Sequence, residues 1–185
     1  MRWRLLTIGV TAMLLMAQQP LRADQKDPRL PELFQRLHDT ANANIARLTE
    51  FMIWSIWGES GEAKLDRLMH EGETAMEDKD YDAAVAKFSA VIAAKPDFAE
   101  GWNRRATVHY LAGDYDASLA DIEHVLELEP RHFGAISGLG VVNLARHHDE
   151  APRDAFERVL SLYPLNMPAR ENLKLVKQRL DDSAI

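Results

Sequence analysis

The sequence predicts an all-α fold, an α-solenoid of helix-turn-helix repeats with a helical hairpin before them and a capping helix after. Two observations carry this. Pro96, Pro130 and Pro164 recur at one 34-residue period along the 185 residues. Windows of that length starting at Leu65, Ala99 and Phe133 also align in size and polarity. Leu68, Trp102 and Ile136 share one column, the small residues Gly72, Ala106 and Gly140 a second, and Phe88, Ile122 and Phe156 a third, followed three residues later by Val91, Val125 and Val159. Such a period marks stacked supersecondary units, each unable to bury its apolar face alone.

From the N-terminus, Arg2 and Arg4 precede the uncharged apolar run Leu5 to Ala17, and a short polar stretch ends in Ala23. This reads as a cleavable signal peptide over 1–23. As a helix the run spans only about 20 Å, less than the roughly 30 Å of hydrocarbon, so a membrane anchor would require an uncleaved signal. Cleavage after Ala23 removes three arginines and no acids, making a chain of net charge −7 still more acidic. Absence of cysteine excludes thiol chemistry, disulfides and the lipid-modified cysteine of a lipoprotein. The expected location is periplasmic or secreted.

A linker at 24–30 leads to a degenerate helical hairpin at 31–64, with helices over Pro31 to His38 and Ala43 to Trp57. Sliding the frame back one period puts Phe34, Trp54 and Trp57 in the columns of Leu68, Phe88 and Val91. Glu50 stands where a small residue belongs, so different packing is expected there. The apolar run Phe51 to Trp57 reads as core before partner surface. Repeats follow at 65–98, 99–132 and 133–166. Proline closes the second helix of each, lacking an N–H and disfavouring helical angles in the residue before it. Asp80 and Asp114 are placed to cap the helices after the inner turns. Pro152 fits only near a helix start, so that helix should begin at about Glu150 or Ala151. Over 167–185, Leu173, Leu175, Val176 and Leu180 alternate with charged residues, as a cap with one apolar face requires.

The stretches Gly101-Trp102-Asn103-Arg104-Arg105-Ala106 and Ala112-Gly113-Asp114-Tyr115-Asp116-Ala117-Ser118 resemble the tetratricopeptide-repeat (TPR) family's W…G…Y…A…F…P pattern, in the manner of an exported bacterial member. The resemblance implies a right-handed superhelix whose first helices line a concave groove that receives a segment of another protein. It places Met69, Glu73 and Met76 of the first pair in that groove, Asn103, Arg104, Thr107 and Tyr110 of the second, and Ser137, Val141 and Leu144 of the third. Family members that grip the carboxyl tails of chaperones use a cationic clamp. The matching positions here hold Met69, Glu73, Arg104, Gly134 and Gly138, so no tail clamp is expected.

Chemistry-bearing motifs are scarce. His147-His148-Asp149-Glu150 occupies a turn where the other repeats also carry polar residues, and adjacent turn residues rarely converge on one ion. His70-Glu71 lacks the second histidine of a zinc-protease helix, Thr74 standing in its place. No nucleophile elbow, phosphate loop or dinucleotide fingerprint occurs, and the mixed charge gives no nucleic-acid footprint. The expectation is a protein that is not an enzyme, with no catalytic residues, metal, small-molecule cofactor or nucleic-acid partner. It is expected to be a periplasmic adaptor that binds a protein or peptide of the cell envelope. The alternative is a self-associating structural component with a Trp-rich N-terminal interface.

Overall fold

The computed structural model describes residues 24–147 and 150–183; the signal peptide expected at 1–23, and His148 and Asp149, lie outside them. Among the described residues all regular structure is helical: α1 (Leu30–Asp39), α2 (Ala43–Gly58), α3 (Ala63–Glu77), α4 (Tyr81–Ala94), α5 (Ala99–Ala112), α6 (Tyr115–Leu128), α7 (Phe133–Ala145), α8 (Glu150–Leu162) and α9 (Met167–Ser183). Helices α3/α4, α5/α6 and α7/α8 are the three pairs, each packing on the next, and α9 lies against α8. The α8 start is where Pro152 required it.

Packing within a pair follows the small and large columns. A Cβ on Gly72 would lie 2.7 Å from the Phe88 ring, and one on Gly140 would lie 2.7 Å from Phe156. Ala106 and Ile122 meet in the same way inside the middle core. Polar ties join neighbouring pairs: Arg105 donates to both Asp121 oxygens at 2.8 Å and to Ser89 Oγ at 2.9 Å, linking α4, α5 and α6.

The helix ends are equally repetitive. Asp80 and Asp114 accept from the N–H groups of Ala83 and Ala117, each at 3.1 Å. His132 and Asn166 perform the same task for α7 and α9, at 3.1 and 2.9 Å. After α4, α6 and α8 the N–H groups of Lys95, Glu129 and Tyr163 close on Val91, Val125 and Val159, each at 2.8 Å, and the prolines follow. Inside the pairs, Lys79, Gly113 and His147 share one column, and all three have left-handed backbone, with φ of 63°, 82° and 59°. The turn therefore demands a conformation that only glycine adopts without strain.

The hairpin α1/α2 forms as expected, but it does not stack on α3 as a preceding repeat. Its apolar residues Leu30, Leu33, Leu37, Ile53, Ile56 and Trp57 are buried in one core with Phe133 and Ile136 of α7, Phe156 and Val159 of α8, and Val176 of α9. The core formed by α3, α4 and α5 contains no hairpin residue. A physical reason lies in the frame itself. The column of Gly72, Ala106 and Gly140 would place His38 between packed helices, and the column of buried Ala84 and Ser118 would place Glu50 there. Neither side chain fits a seam without space or partner. In its actual position Glu50 accepts from the Tyr163 hydroxyl at 3.2 Å.

The hairpin is pinned at both ends. Before α1, Gln25 donates to the Asp97 carbonyl, Lys26 pairs with Asp97 at 2.8 Å, and Asp24 lies 3.5 Å from Lys95 Nζ. After α2, the same Lys95 ammonium donates to the Ser60 carbonyl at 2.6 Å. The turn Asp27-Pro28-Arg29 repeats Glu129-Pro130-Arg131, the arginine folding back on the acid through paired hydrogen bonds of 2.7–2.9 Å and 2.8–2.9 Å.

Candidate recognition groove

The first helices α5 and α7 run side by side and enclose a cleft of about 170 Å³. On α5, Asn103, Thr107 and Tyr110 stand at helical spacing i, i+4, i+7 and share one face. Ser137 and Val141 repeat the i, i+4 step on α7, and these five residues all line the cleft. Glycines 134 and 138 thin the α7 wall; a Cβ on Gly138 would already sit 3.3 Å from Ile122. No lining residue carries a charge. The volume is close to that of a cavity, about 150 Å³, that holds one benzene ring. The cleft therefore suits a single apolar or aromatic side chain, with hydroxyl and amide groups at its rim for a partner's backbone.

The other expected groove residues have different settings. Met69 is only 5% exposed and belongs to the α3/α4/α5 core. Met76 packs half-buried on that core, and Leu144 against the core that includes the hairpin. Glu73 is taken up by Arg104 at 3.4 Å, and Arg104 Nε also lies 2.7 Å from Glu100. The lone cation among the clamp columns is thus neutralised within the chain.

Beneath the cleft lies a buried ionic cluster around Glu100, which is 1% exposed. Asn103 Nδ2 donates to it at 3.0 Å, and His132 Nε2 lies 3.1 Å away. His132 Nδ1 accepts from the Ala135 N–H, so the proton sits on Nε2 and points at Glu100. Burial alone would raise the Glu100 pKa. The His132 hydrogen bond, the Arg104 charge and the Asn103 amide outweigh it and hold the carboxyl below its ordinary value.

The hairpin docks immediately beside this cluster. The Trp57 ring stacks on His132, centroids 4.1 Å apart and planes 10° from parallel. Trp54 stands edge-on to Phe133 at 5.3 Å, and its ring occupies the space where a Cβ on Gly134 would fall, 2.5 Å away. Gly134 therefore borders both the open cleft and the α2 seat. Arg131 covers the outer side, its guanidinium 4.4 Å from the Phe34 ring. Sequence reading placed Trp54 and Trp57 in the core but missed His132, whose only signal was its column with the capping Asn166. The described residues contain no group of three or more potential ligands placed to hold a metal.

Comparison with known proteins agrees with this architecture. The tetratricopeptide-repeat sequence profile matches residues 70–130. A TPR repeat-containing protein of Rhizobium etli is 39% identical over 152 residues, covering 82% of this chain and 74% of its own length. Small glutamine-rich tetratricopeptide repeat-containing protein 2 of Saccharomyces cerevisiae is 31% identical over 100 residues, 54% of this chain and 29% of that protein, so the match spans under a third of its length. Among solved structures, the first TPR of Spaghetti (RPAP3) bound to an HSP90 peptide superposes with a TM-score of 0.61 at 24% identity, covering 64% of this chain and 94% of that one. The Sgt2 TPR domain of Aspergillus fumigatus superposes with a TM-score of 0.63 at 19% identity, covering 66% and 83%. These last two likenesses are of fold.

Proposed function

The chain belongs to the tetratricopeptide-repeat family, and on that premise we propose that it is an exported adaptor whose concave face recognises a segment of a cell-envelope protein. The observation that carries this reading is the uncharged cleft between α5 and α7, built from Asn103, Thr107 and Tyr110 on one first helix and Ser137 and Val141 on the next. Solenoids use such faces for partner binding. The RPAP3 domain, whose solved form holds the HSP90 peptide SRMEEVD, illustrates binding by this fold. In the present chain the Arg104 charge is engaged by Glu73 and Glu100, so the reading excludes recognition through a partner's terminal carboxylate and favours an apolar side chain. Calorimetry with an acidic C-terminal peptide should give no heat; binding that vanished on amidation would contradict this.

The export component rests on the basic start and apolar run of residues 1–23. Mass spectrometry of the mature N-terminus and fractionation of cells test it: a chain starting at Met1 in the cytosol would remove the envelope from the proposal. Crosslinking pull-down tests the groove. Ser137→Trp fills the cleft and should abolish recovery of the specific partner while leaving the helical circular dichroism intact. Recovery equal to the parent chain would sink the groove reading. A Trp-rich interface is not available, because Trp54 and Trp57 pack inward on Phe133 and His132; exposed Ile45, Leu48, Phe51 and Met52 along α2 favour self-association through that stripe instead, which a concentration-independent monomer in sedimentation would eliminate.

A further inference from the structure

We propose that the concave face accepts an amphipathic helix bearing two aromatic side chains three residues apart, and that α2 is a resident copy of this ligand which a partner helix displaces. The proposal deepens the recognition reading and rests on it, naming the partner's class.

The seat is specific to aromatics. Trp57 lies flat on His132, and Trp54 meets Phe133 edge-on. Room for Trp54 exists because position 134 has no side chain. That glycine has no left-handed φ to explain it, so its role is to open space. The two rings project from one helix at positions 54 and 57, the i, i+3 spacing of helix-in-groove anchors.

The occupant is separable from the first repeats, although it shares a core with α7, α8 and α9. The α3/α4/α5 core closes without any hairpin residue, and the base of the hairpin is held by a small set of polar ties to Lys95 and Asp97. Lys95 pairs with Asp24 and donates to the Ser60 carbonyl. Beyond Ser60 the connection to α3 turns through Gly61, with φ of 76°. The resident fit is also incomplete: Trp57 Nε1 is buried with no hydrogen-bond acceptor among the described residues. An incoming helix with phenylalanine there, or one bringing its own acceptor, avoids that cost. Because Gly134 borders both the seat and the open cleft, a helix longer than α2 reaches the cleft with a further apolar side chain.

The test uses the full chain and a fluorescein-labelled peptide of residues 43–58, with fluorescence anisotropy as readout. In the parent chain the resident hairpin competes as an intramolecular ligand at high effective concentration, so the peptide binds weakly. Lys95→Ala with Gln25→Ala and Lys26→Ala removes the ties at the base without touching the seat and should tighten peptide binding about tenfold or more. Hydrogen exchange of α2 checks the release; if α2 stays protected, Trp57→Ala replaces the triple variant in the comparison. Adding Gly134→Val to the released variant should remove binding, as should alanine at both tryptophans of the peptide. No gain in binding in a variant whose α2 exchanges rapidly overturns the proposal. So does a gain that survives Gly134→Val. Should the peptide fail while Ser137→Trp still abolishes partner recovery, the recognition reading stands and the resident-ligand proposal falls.

Discussion

Lys79 and His147 occupy left-handed turns that Gly113 occupies without strain. A non-glycine residue there costs about 1 kcal/mol, partly offset by the greater unfolded-state freedom of glycine. Lys79→Gly should therefore raise the urea midpoint, by a gain on the order of 0.5 kcal/mol. The opposite change, Gly113→Val, should lower it. At the seams, Gly140→Leu must displace the Phe156 ring, because even its Cβ would lie 2.7 Å away. Overpacking of this kind costs roughly 1–3 kcal/mol and should appear in the same denaturation series. Glu100 gives the pH dependence. Its folded pKa is lowered from 4.5, so its contribution is complete above that value and disappears as pH falls through the folded one. Acid unfolding monitored below pH 4.5 should be shallower in Glu100→Gln, which cannot release the stabilisation on protonation. At this scale much was legible: Gly72, Ala106 and Gly140, the aspartate caps and the prolines all act as their columns imply. Glu100 was not, because an acid in a first turn looks solvated until the fold brings His132 and Arg104 against it.

For the helices, sequence periodicity located every pair and the start of α8, since Pro152 admits few alternatives. Placement of α1 and α2 was beyond it. The frame put both helices in register with the repeats, and register constrains how a chain is segmented more than where a segment docks. Small-residue columns contain the missing information in negative form, through His38 and Glu50, which block a repeat-like seam without indicating the seat actually used. Tyr163 offers a local check on that seat. Burial, then the neighbouring Glu50 carboxylate, pushes its pKa up to about 12. Its raised folded value means the stabilisation is whole below the ordinary tyrosine pKa of about 10 and lost as pH climbs toward the folded one. Ultraviolet titration should show one tyrosine ionising late, and Glu50→Gln should bring it earlier.

Across the whole molecule, the hairpin breaks the nearest-neighbour rule of solenoids. A repeat array unravels from its ends because each unit touches only adjacent ones. Here residues that precede α3 complete the core of α7, α8 and α9. Loosening the hairpin by Trp57→Ala should accelerate amide exchange in α7 and α9 more than in α3 and α4, although the latter are closer in sequence. Equal acceleration throughout would mean that the solenoid responds as one unit. The long-range tie should also make unfolding of the parent chain more cooperative than that of a linear array, observable as coincident transitions by fluorescence and circular dichroism.

Asp24 and Ser60 meet at one lysine, so both ends of the hairpin segment attach to the solenoid at a single point. It has the anatomy of an N-terminal cassette: coincident ends, a core shared with α7, α8 and α9 on one side, and an apolar outer stripe on the other. Its outer face can be changed while the α3/α4/α5 core is untouched, provided that the new segment returns to Lys95 and keeps the apolar face that completes the core of α7, α8 and α9. Variation in what this scaffold recognises is therefore open to change at the cassette without redesign of the repeats.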